Sequence, residues 1–304
     1  MKLKASLSLT LLLLSLALPL IAAPIPVDIK KDVVFIYYLN KITNASPDGT
    51  GFLIALQDAK NANSGWLYLV TAKHVLRPPD INAWLNEVGV RLNRRDGASE
   101  IVPMSLKVDG PNRNVFTNDD PTVDIAVAGC SIDLGKYDIK FLKNEDILTD
   151  KDIQDLNVND GTEVFFTGMF SYIAFRENPN SLKQFTPITR FGKISSMPSE
   201  KVDWVFGKTE LYLAEVTCYP GNSGSPVYVH IGMERQNGIV LGGPTFKLAG
   251  VMSGYFGEPS YLNTASVSTN QFVSVNNGIA AIVPASKITE ILNSPILRQQ
   301  RHEQ

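Results

Sequence analysis

The chain has 304 residues, 44% hydrophobic and 19% charged, with a formal net charge of -2. That length can bury one large core or two smaller ones, and the near-neutral balance offers no basic field to nucleic acid. Two cysteines, three histidines and the lack of any CxxC or GxxxxGK[ST] pattern argue against a structural zinc site and a phosphate loop.

The chain opens "MKLKASLSLTLLLLSLALPLIAAPIP". Lys2 and Lys4 form a positive start, Leu9 to Ile21 is an apolar run, and Ala22-Ala23 supplies small residues for cleavage. This is the layout of a secretory signal peptide over residues 1–23. The mature chain is then expected to be secreted or periplasmic, with no membrane span. An uncleaved anchor is the other reading, because the run approaches spanning length; Pro19 favours cleavage. Export would allow Cys130 and Cys218 to pair. Two buried free thiols are the alternative, and sequence alone does not decide between them.

Next come short runs rich in β-branched and aromatic residues. They are Asp32 to Leu39, Gly49 to Leu56, Trp66 to Ala72, Val123 to Gly129, Glu163 to Met169, Leu211 to Thr217, Ser225 to Ile231 and Phe246 to Gly254. Turn-rich segments such as "NASPDG", "NANSG" and "NVNDG" separate them. Recurrent short strands with such punctuation predict an all-β sandwich or barrel. The polar stretch Ser131 to Asp160 divides the strands into two halves. "PASKITEIL" (Pro284 to Leu292) predicts a short C-terminal helix, with Pro in a favoured first position and Ile288, Ile291 and Leu292 at helical spacing. The polar tail beyond it is expected to fray.

Serine hydrolysis needs a base, a carboxylate to orient it, and backbone N–H groups for the oxyanion. His74 follows a strand-like run that ends in small residues, a suitable place to present a base to a cleft. His230 sits inside "VYVHI" and reads as a packed or surface strand residue; His302 lies in the tail. Asp124 is embedded in "PTVDIAV", where an ionised carboxylate needs partners; a solvent-exposed edge position is the bland alternative. "GNSGSP" holds Ser223 between Gly221 and Gly224, residues whose freedom at positive φ suits a loop that aims successive N–H groups into one concavity.

"GTGFLI", "VTAKHV", "DIAV", "GNSGSPV" and "AGVMSG" occur in that order, and together they resemble the signature segments of chymotrypsin/trypsin-like serine peptidases. "GNSGSPV" is most similar to bacterial glutamyl endopeptidases, and "NNGIAAIVPASKITEIL" to the end of Deg-type envelope protease cores. The resemblance implies two six-stranded antiparallel Greek-key β-barrels with a short C-terminal helix. The first barrel, residues 24–145, would carry His74 and Asp124. The second, residues 146–283, would carry Ser223, followed by the helix and tail at 284–304. It implies a protease core without a peptide-binding PDZ domain, acting on polypeptide and needing no cofactor or metal. Ser223 would be the nucleophile, His74 the base and Asp124 its orienter. The N–H groups of Gly221 and Ser223 would form the oxyanion hole. Thr217, Met252, Ser253, Gly254 and Tyr255 would contact substrate.

Several positions depart from the family pattern. Asn222 stands where zymogen members carry Asp, so activation by a freed N-terminus is not expected. Thr217 offers no carboxylate for a basic substrate residue, and "AGVMSGY" lacks the histidine that glutamyl endopeptidases use there. A small or medium apolar substrate residue is the expectation. The alternatives are a catalytically silent protease-like binding protein and a β-barrel binding protein of another family. The expected mark of the silent form, a missing triad residue, is absent from the sequence.

Overall fold

The computed structural model describes residues 25–39, 47–58, 60–170, 183–232, 234–235, 238–239, 245–264 and 267–302. The expected signal peptide lies outside them.

The first half forms one antiparallel sheet. Its strands are β1 (Val33–Tyr37), β2 (Gly49–Asp58), β3 (Asn61–Thr71), β4 (Glu87–Asn93), β5 (Ser99–Ser105), β6 (Val115–Thr117) and β7 (Ala126–Cys130). They lie in the order β5-β4-β1-β2-β3-β7-β6. The sheet curls until its two edges meet. Asn114 N–H and Val115 N–H both donate to the Lys107 carbonyl, at 2.9 and 3.1 Å. A one-turn helix, α1 (Lys73–Leu76), follows β3.

The second half contains β8 (Glu163–Gly168), β9 (Ile188–Ser196), β10 (Val202–Trp204), β11 (Gly207–Thr209), β12 (Tyr212–Glu215), β13 (Pro226–Ile231), β14 (Glu234–Arg235), β15 (Gly238–Ile239), β16 (Thr245–Thr264) and β17 (Val267–Pro284). Six of them close a barrel in the order β12-β17-β16-β13-β8-β9. β10 pairs with β11, and β14 with β15, as separate two-stranded hairpins.

Both halves wind the same way. In each, the first strand pairs with the second, the second with the third and the third with the last, while the first also pairs with the fourth. In the first half these contacts are β1–β2, β2–β3, β3–β7 and β1–β4. In the second they are β8–β9, β9–β12, β12–β17 and β8–β13. This duplicated winding is the chymotrypsin-like double barrel. One difference from expectation concerns the first barrel, which has seven strands and hydrogen-bonded edges where six in closed form were expected. The seventh arises because the place that β16 fills between β13 and β17 is taken in the first barrel by two strands, β5 on β4 and β6 on β7.

Alternating side chains fill each barrel. Val34, Ile36, Leu53, Leu69, Val75 and Leu76 pack inside the first; Val164, Phe166, Ala214, Val227 and Met252 pack inside the second. The outward faces meet in a third core that includes Phe52, Ile54, Tyr68, Phe165, Tyr228 and Leu248, capped by Ile288, Ile291 and Leu292.

The polar connection between the halves is ordered against both. It bridges Leu142 to Ile54 and Ile147 to Leu248, and it contains α2 (Asp150–Asp155), whose capping box joins Thr149 and Asp152. The predicted C-terminal helix is α3 (Ser286–Leu292). The expected fraying does not occur up to residue 301. α4 (Pro295–Gln300) follows α3, Leu297 and Arg301 are buried, and Arg301 Nη2 donates to the Leu292 carbonyl at 2.7 Å.

Candidate active site

The cleft between the barrels is built from four short segments. β3 ends at Thr71, and α1 makes a single turn whose Val75 and Leu76 are buried in the first barrel. That anchoring leaves His74 facing the cleft, its side chain 23% exposed. β2 approaches α1 closely at Gly49, where an added Cβ would lie 2.6 Å from Val75 Cγ1.

Asp124 lies just before β7, which begins at Ala126 rather than at Val123 as the sequence suggests. Residues 121–123 are held by Lys73 instead of by a neighbouring strand. Its ammonium donates to the carbonyls of Pro121 at 2.6 Å and Val123 at 2.8 Å. Asp124 is fully buried and accepts three hydrogen bonds. His74 N–H reaches Oδ1 at 3.0 Å. His74 Nδ1 reaches Oδ2 at 2.8 Å, and Ser253 Oγ reaches Oδ2 at 2.5 Å. The first two fix both the backbone and the ring of His74 against one carboxylate.

Burial by itself would lower the His74 pKa; the charge of Asp124 and its hydrogen bond outweigh that and hold the imidazole above its ordinary value. Burial lowers Lys73, opposed by the same carboxylate.

Ser223 sits in the loop before β13. Gly221 (φ +90°) and Gly224 (φ +87°) occupy the left-handed region, and a Cβ on Gly224 would collide with the Thr50 carbonyl and Thr71 Oγ1. The loop is clasped from the other barrel. Thr50 N–H donates to the Ser223 carbonyl at 2.9 Å, and Thr50 Oγ1 donates to the Gly221 carbonyl at 2.7 Å. Buried Asn222 braces it from beneath, accepting from Tyr219 N–H at 2.8 Å and donating to the Met169 carbonyl at 2.6 Å. Among the described residues, neither Gly221 N–H nor Ser223 N–H meets an acceptor. Ser225 is fully buried at the start of β13.

Ser253 joins the parts. Its side chain donates to Asp124, and its carbonyl accepts from Ser223 Oγ at 3.2 Å. The nucleophile candidate therefore points at Ser253 in this state; its hydroxyl makes no hydrogen bond to His74.

The residues expected to contact substrate divide. Ser253 and Gly254 lie at the cleft, and Tyr255 is half-buried. Thr217 is exposed. Met252 is fully buried in the second barrel; its main chain seats the serine loop, donating to the Ser225 carbonyl at 2.9 Å and accepting from Gly224 N–H at 2.7 Å. Cys218, fully buried, donates to the Gly254 carbonyl at 3.6 Å. Both cysteines are free, and burial pushes each thiol up to about 12. His230 lies on β13 and pairs across the sheet with Glu163 at 2.9 Å, away from the cleft elements.

Sequence reasoning passes over the aromatic cover of the site. The β10–β11 hairpin lays Phe206 over the His74 ring, centroids 6.1 Å apart. Its Trp204 Nε1 donates to Ser253 Oγ at 2.9 Å. The only signal in the sequence is "DWVFGK", two aromatics in a turn-like segment. Among the described residues no cluster of three or more His, Cys, Asp or Glu is placed to hold a metal, and no helix is long and apolar enough to cross a membrane.

No protein-family model matches the chain, and no curated protein matches it. Solved structures similar to it include the MamO protease domain from Magnetospirillum magneticum, with 15% identity, TM-score 0.47, 88% of this chain covered and 98% of that one. The active form of the Rv3671c protease from M. tuberculosis shows 16% identity and a TM-score of 0.44, over 90% and 89% of the two chains. Human heparin binding protein shows 10% identity and a TM-score of 0.45, over 91% and 97%. The double-barrel assignment rests on the strand pairing described above.

Proposed function

We propose that the protein is a secreted serine endopeptidase. The observation that carries this reading is the buried Asp124 carboxylate. It holds both the main-chain N–H and the ring Nδ1 of His74, across the cleft from a serine loop with two N–H groups that meet no acceptor among the described residues. In the reaction, Ser223 Oγ attacks the scissile carbonyl carbon and passes its proton to His74 Nε2. The imidazolium keeps its Nδ1–H on Asp124 Oδ2, and the oxyanion accepts from Gly221 N–H and Ser223 N–H. Collapse breaks the C–N bond as His74 returns the proton to the leaving amine. Water then repeats the sequence on the acyl-enzyme and frees Ser223. Rotation about the Ser223 Cα–Cβ bond, which moves its hydroxyl from Ser253 to His74, precedes attack.

Residues 1–23 are the proposed signal segment, 24–145 and 146–283 the two barrels, and 284–304 the closing helical segment. A polypeptide with a small or medium apolar residue before the cut is the proposed substrate.

The second reading is a silent, protease-like binding protein, favoured by the Ser223 hydroxyl resting on the Ser253 carbonyl. A fluorophosphonate probe separates the two. Labelling is expected in the natural protein and in Ser225→Ala, and is expected to vanish in Ser223→Ala. Folded protein that never labels between about pH 6 and 9, a range spanning ordinary imidazole titration, supports the silent reading. The rate should rise with pH as His74 loses its proton. Because Asp124 raises that pKa, the midpoint belongs above about 6.5; a midpoint well below it argues against a histidine base.

A further inference from the structure

Among the described residues the Trp204 side chain makes one polar contact, from its indole N–H to Ser253 Oγ at 2.9 Å. An indole N–H only donates. The Ser253 hydroxyl must therefore accept there, and its single proton is left for Asp124 Oδ2, 2.5 Å away. Without the indole, only the carboxylate fixes the place of that hydroxyl among the described residues. We propose that Trp204 is a positioning residue for the site: by occupying the acceptor side of the Ser253 hydroxyl, it commits that hydroxyl to Asp124 and so sets how Asp124 holds His74.

The surroundings are shaped for this contact. Gly254 gives the indole its close approach, since a Cβ there would lie 3.2 Å from Trp204 Cζ2. Phe256 packs against the indole with ring centroids 4.8 Å apart. Phe206, two residues along the same hairpin, covers the His74 ring. The hairpin thus touches both ends of the Ser253–Asp124–His74 chain while its indole stays off the reacting atoms.

The consequence follows from sharing one oxygen. Asp124 Oδ2 receives both Ser253 Oγ and His74 Nδ1. A donor on a carboxylate spends part of its charge, so losing Ser253 leaves more of it for the imidazolium. The other charged groups near the pair are Lys73 and, beyond it, Arg77 and Asp120. Asp120 is tied to Lys201 at 2.8 Å. Lys73 also lies 5.5 Å from the ring centroid of Phe206 on the same hairpin, and Lys201 directly precedes β10, so the variant chosen keeps a ring at 204 to hold the hairpin in place.

The proposal rests on the triad reading only for its kinetic arm. Trp204→Phe keeps a ring and removes the N–H. Imidazole titration by NMR, with His74 assigned by substitution, needs no turnover. The His74 midpoint is expected to move to higher pH in Trp204→Phe and in Ser253→Ala. The double variant should match Ser253→Ala, because the two act through one hydroxyl. In turnover assays kcat should fall about fivefold with KM unchanged, the scale of one neutral hydrogen bond, and the acid limb should shift with the NMR midpoint. Gly254→Ala, which pushes the indole away while keeping its N–H, supplies a second route if Trp204→Phe does not fold. A His74 midpoint unchanged in both variants, or a double variant shifted beyond Ser253→Ala, overturns the proposal. Failure of every form to label with fluorophosphonate overturns the triad reading instead, and leaves the titration result standing.

Discussion

Asn222 carries a structural task disproportionate to its size. Its amide oxygen takes Tyr219 N–H and its amide nitrogen gives to the Met169 carbonyl, which ties the serine loop to the end of β8. Asn222→Ala leaves the Met169 carbonyl buried and unpaired and strips the partly buried Tyr219 N–H of its acceptor. Unfolding free energy should fall by about 2 kcal/mol or more, read by denaturant titration. On the proposed reading, fluorophosphonate labelling should fall further than the loss of folded protein explains, because the Gly221 and Ser223 amides lose their fixed orientation. Labelling that tracks stability alone would deny Asn222 that role. The residue types of the site were legible from their order and their neighbours. The partners that tune them were not, because Trp204 and Lys73 act across the fold or on main-chain carbonyls, and neither relation has a sequence period.

The loop of residues 219–225 works as one element. Its two left-handed glycines are not interchangeable with other residues. Gly224 combines φ +87° with an approach to Thr50 and Thr71 that leaves no room for a methyl group. Gly224→Ala should cost at least about 1 kcal/mol from the left-handed backbone alone, plus whatever moves β2. Circular dichroism should show a folded protein with a lowered Tm, and probe labelling should be lost. Retained labelling at the natural rate would mean the loop tolerates being lifted off β2. The strands that were legible, such as β2, β3 and β13, are long enough for their apolar pattern to register. β10 and β11, three residues each, are too short to show one, which is why the aromatic cover leaves so little trace in the sequence. α2 owes its turn to a capping box in a stretch rich in charged residues, and α4 is held by two buried side chains, Leu297 and Arg301, within a tail whose composition suggested solvent.

At the scale of the whole molecule, the two barrels meet around a buried polar pair. Tyr228 on β13 donates to Asp32 Oδ2 at 3.0 Å, just ahead of β1. Burial pushes the Asp32 carboxyl up to about 8, with the Tyr228 hydrogen bond opposing it. Asp32 is therefore protonated in the folded protein at neutral pH and ionised in the unfolded chain. Between about 4, near the ordinary carboxylate value, and about 8, the folded state holds one more proton, so this group makes stability fall as pH rises. Above that window its contribution is constant. Asp32→Asn should shrink the drop in Tm between the two ends of the window; an unchanged drop would place the proton elsewhere. The all-β character was legible in the recurrent strands. The seven-stranded count and the barrel-to-barrel contacts were not, since register and inter-sheet packing depend on which surfaces meet.

The clasp from Thr50 has a consequence in time. On the proposed reading, His74 and Asp124 belong to the half of the chain made first, and Ser223 belongs to the half made last. The amides that would hold the oxyanion are aimed by hydrogen bonds that exist only once β2 and the serine loop have met. A growing chain with one finished barrel thus has a base but no nucleophile. A fully synthesised chain with its barrels apart has a nucleophile but no aimed amides. On the proposed reading, cleaving power arrives only with that docking, and a chain that stalls before it has no aimed oxyanion site.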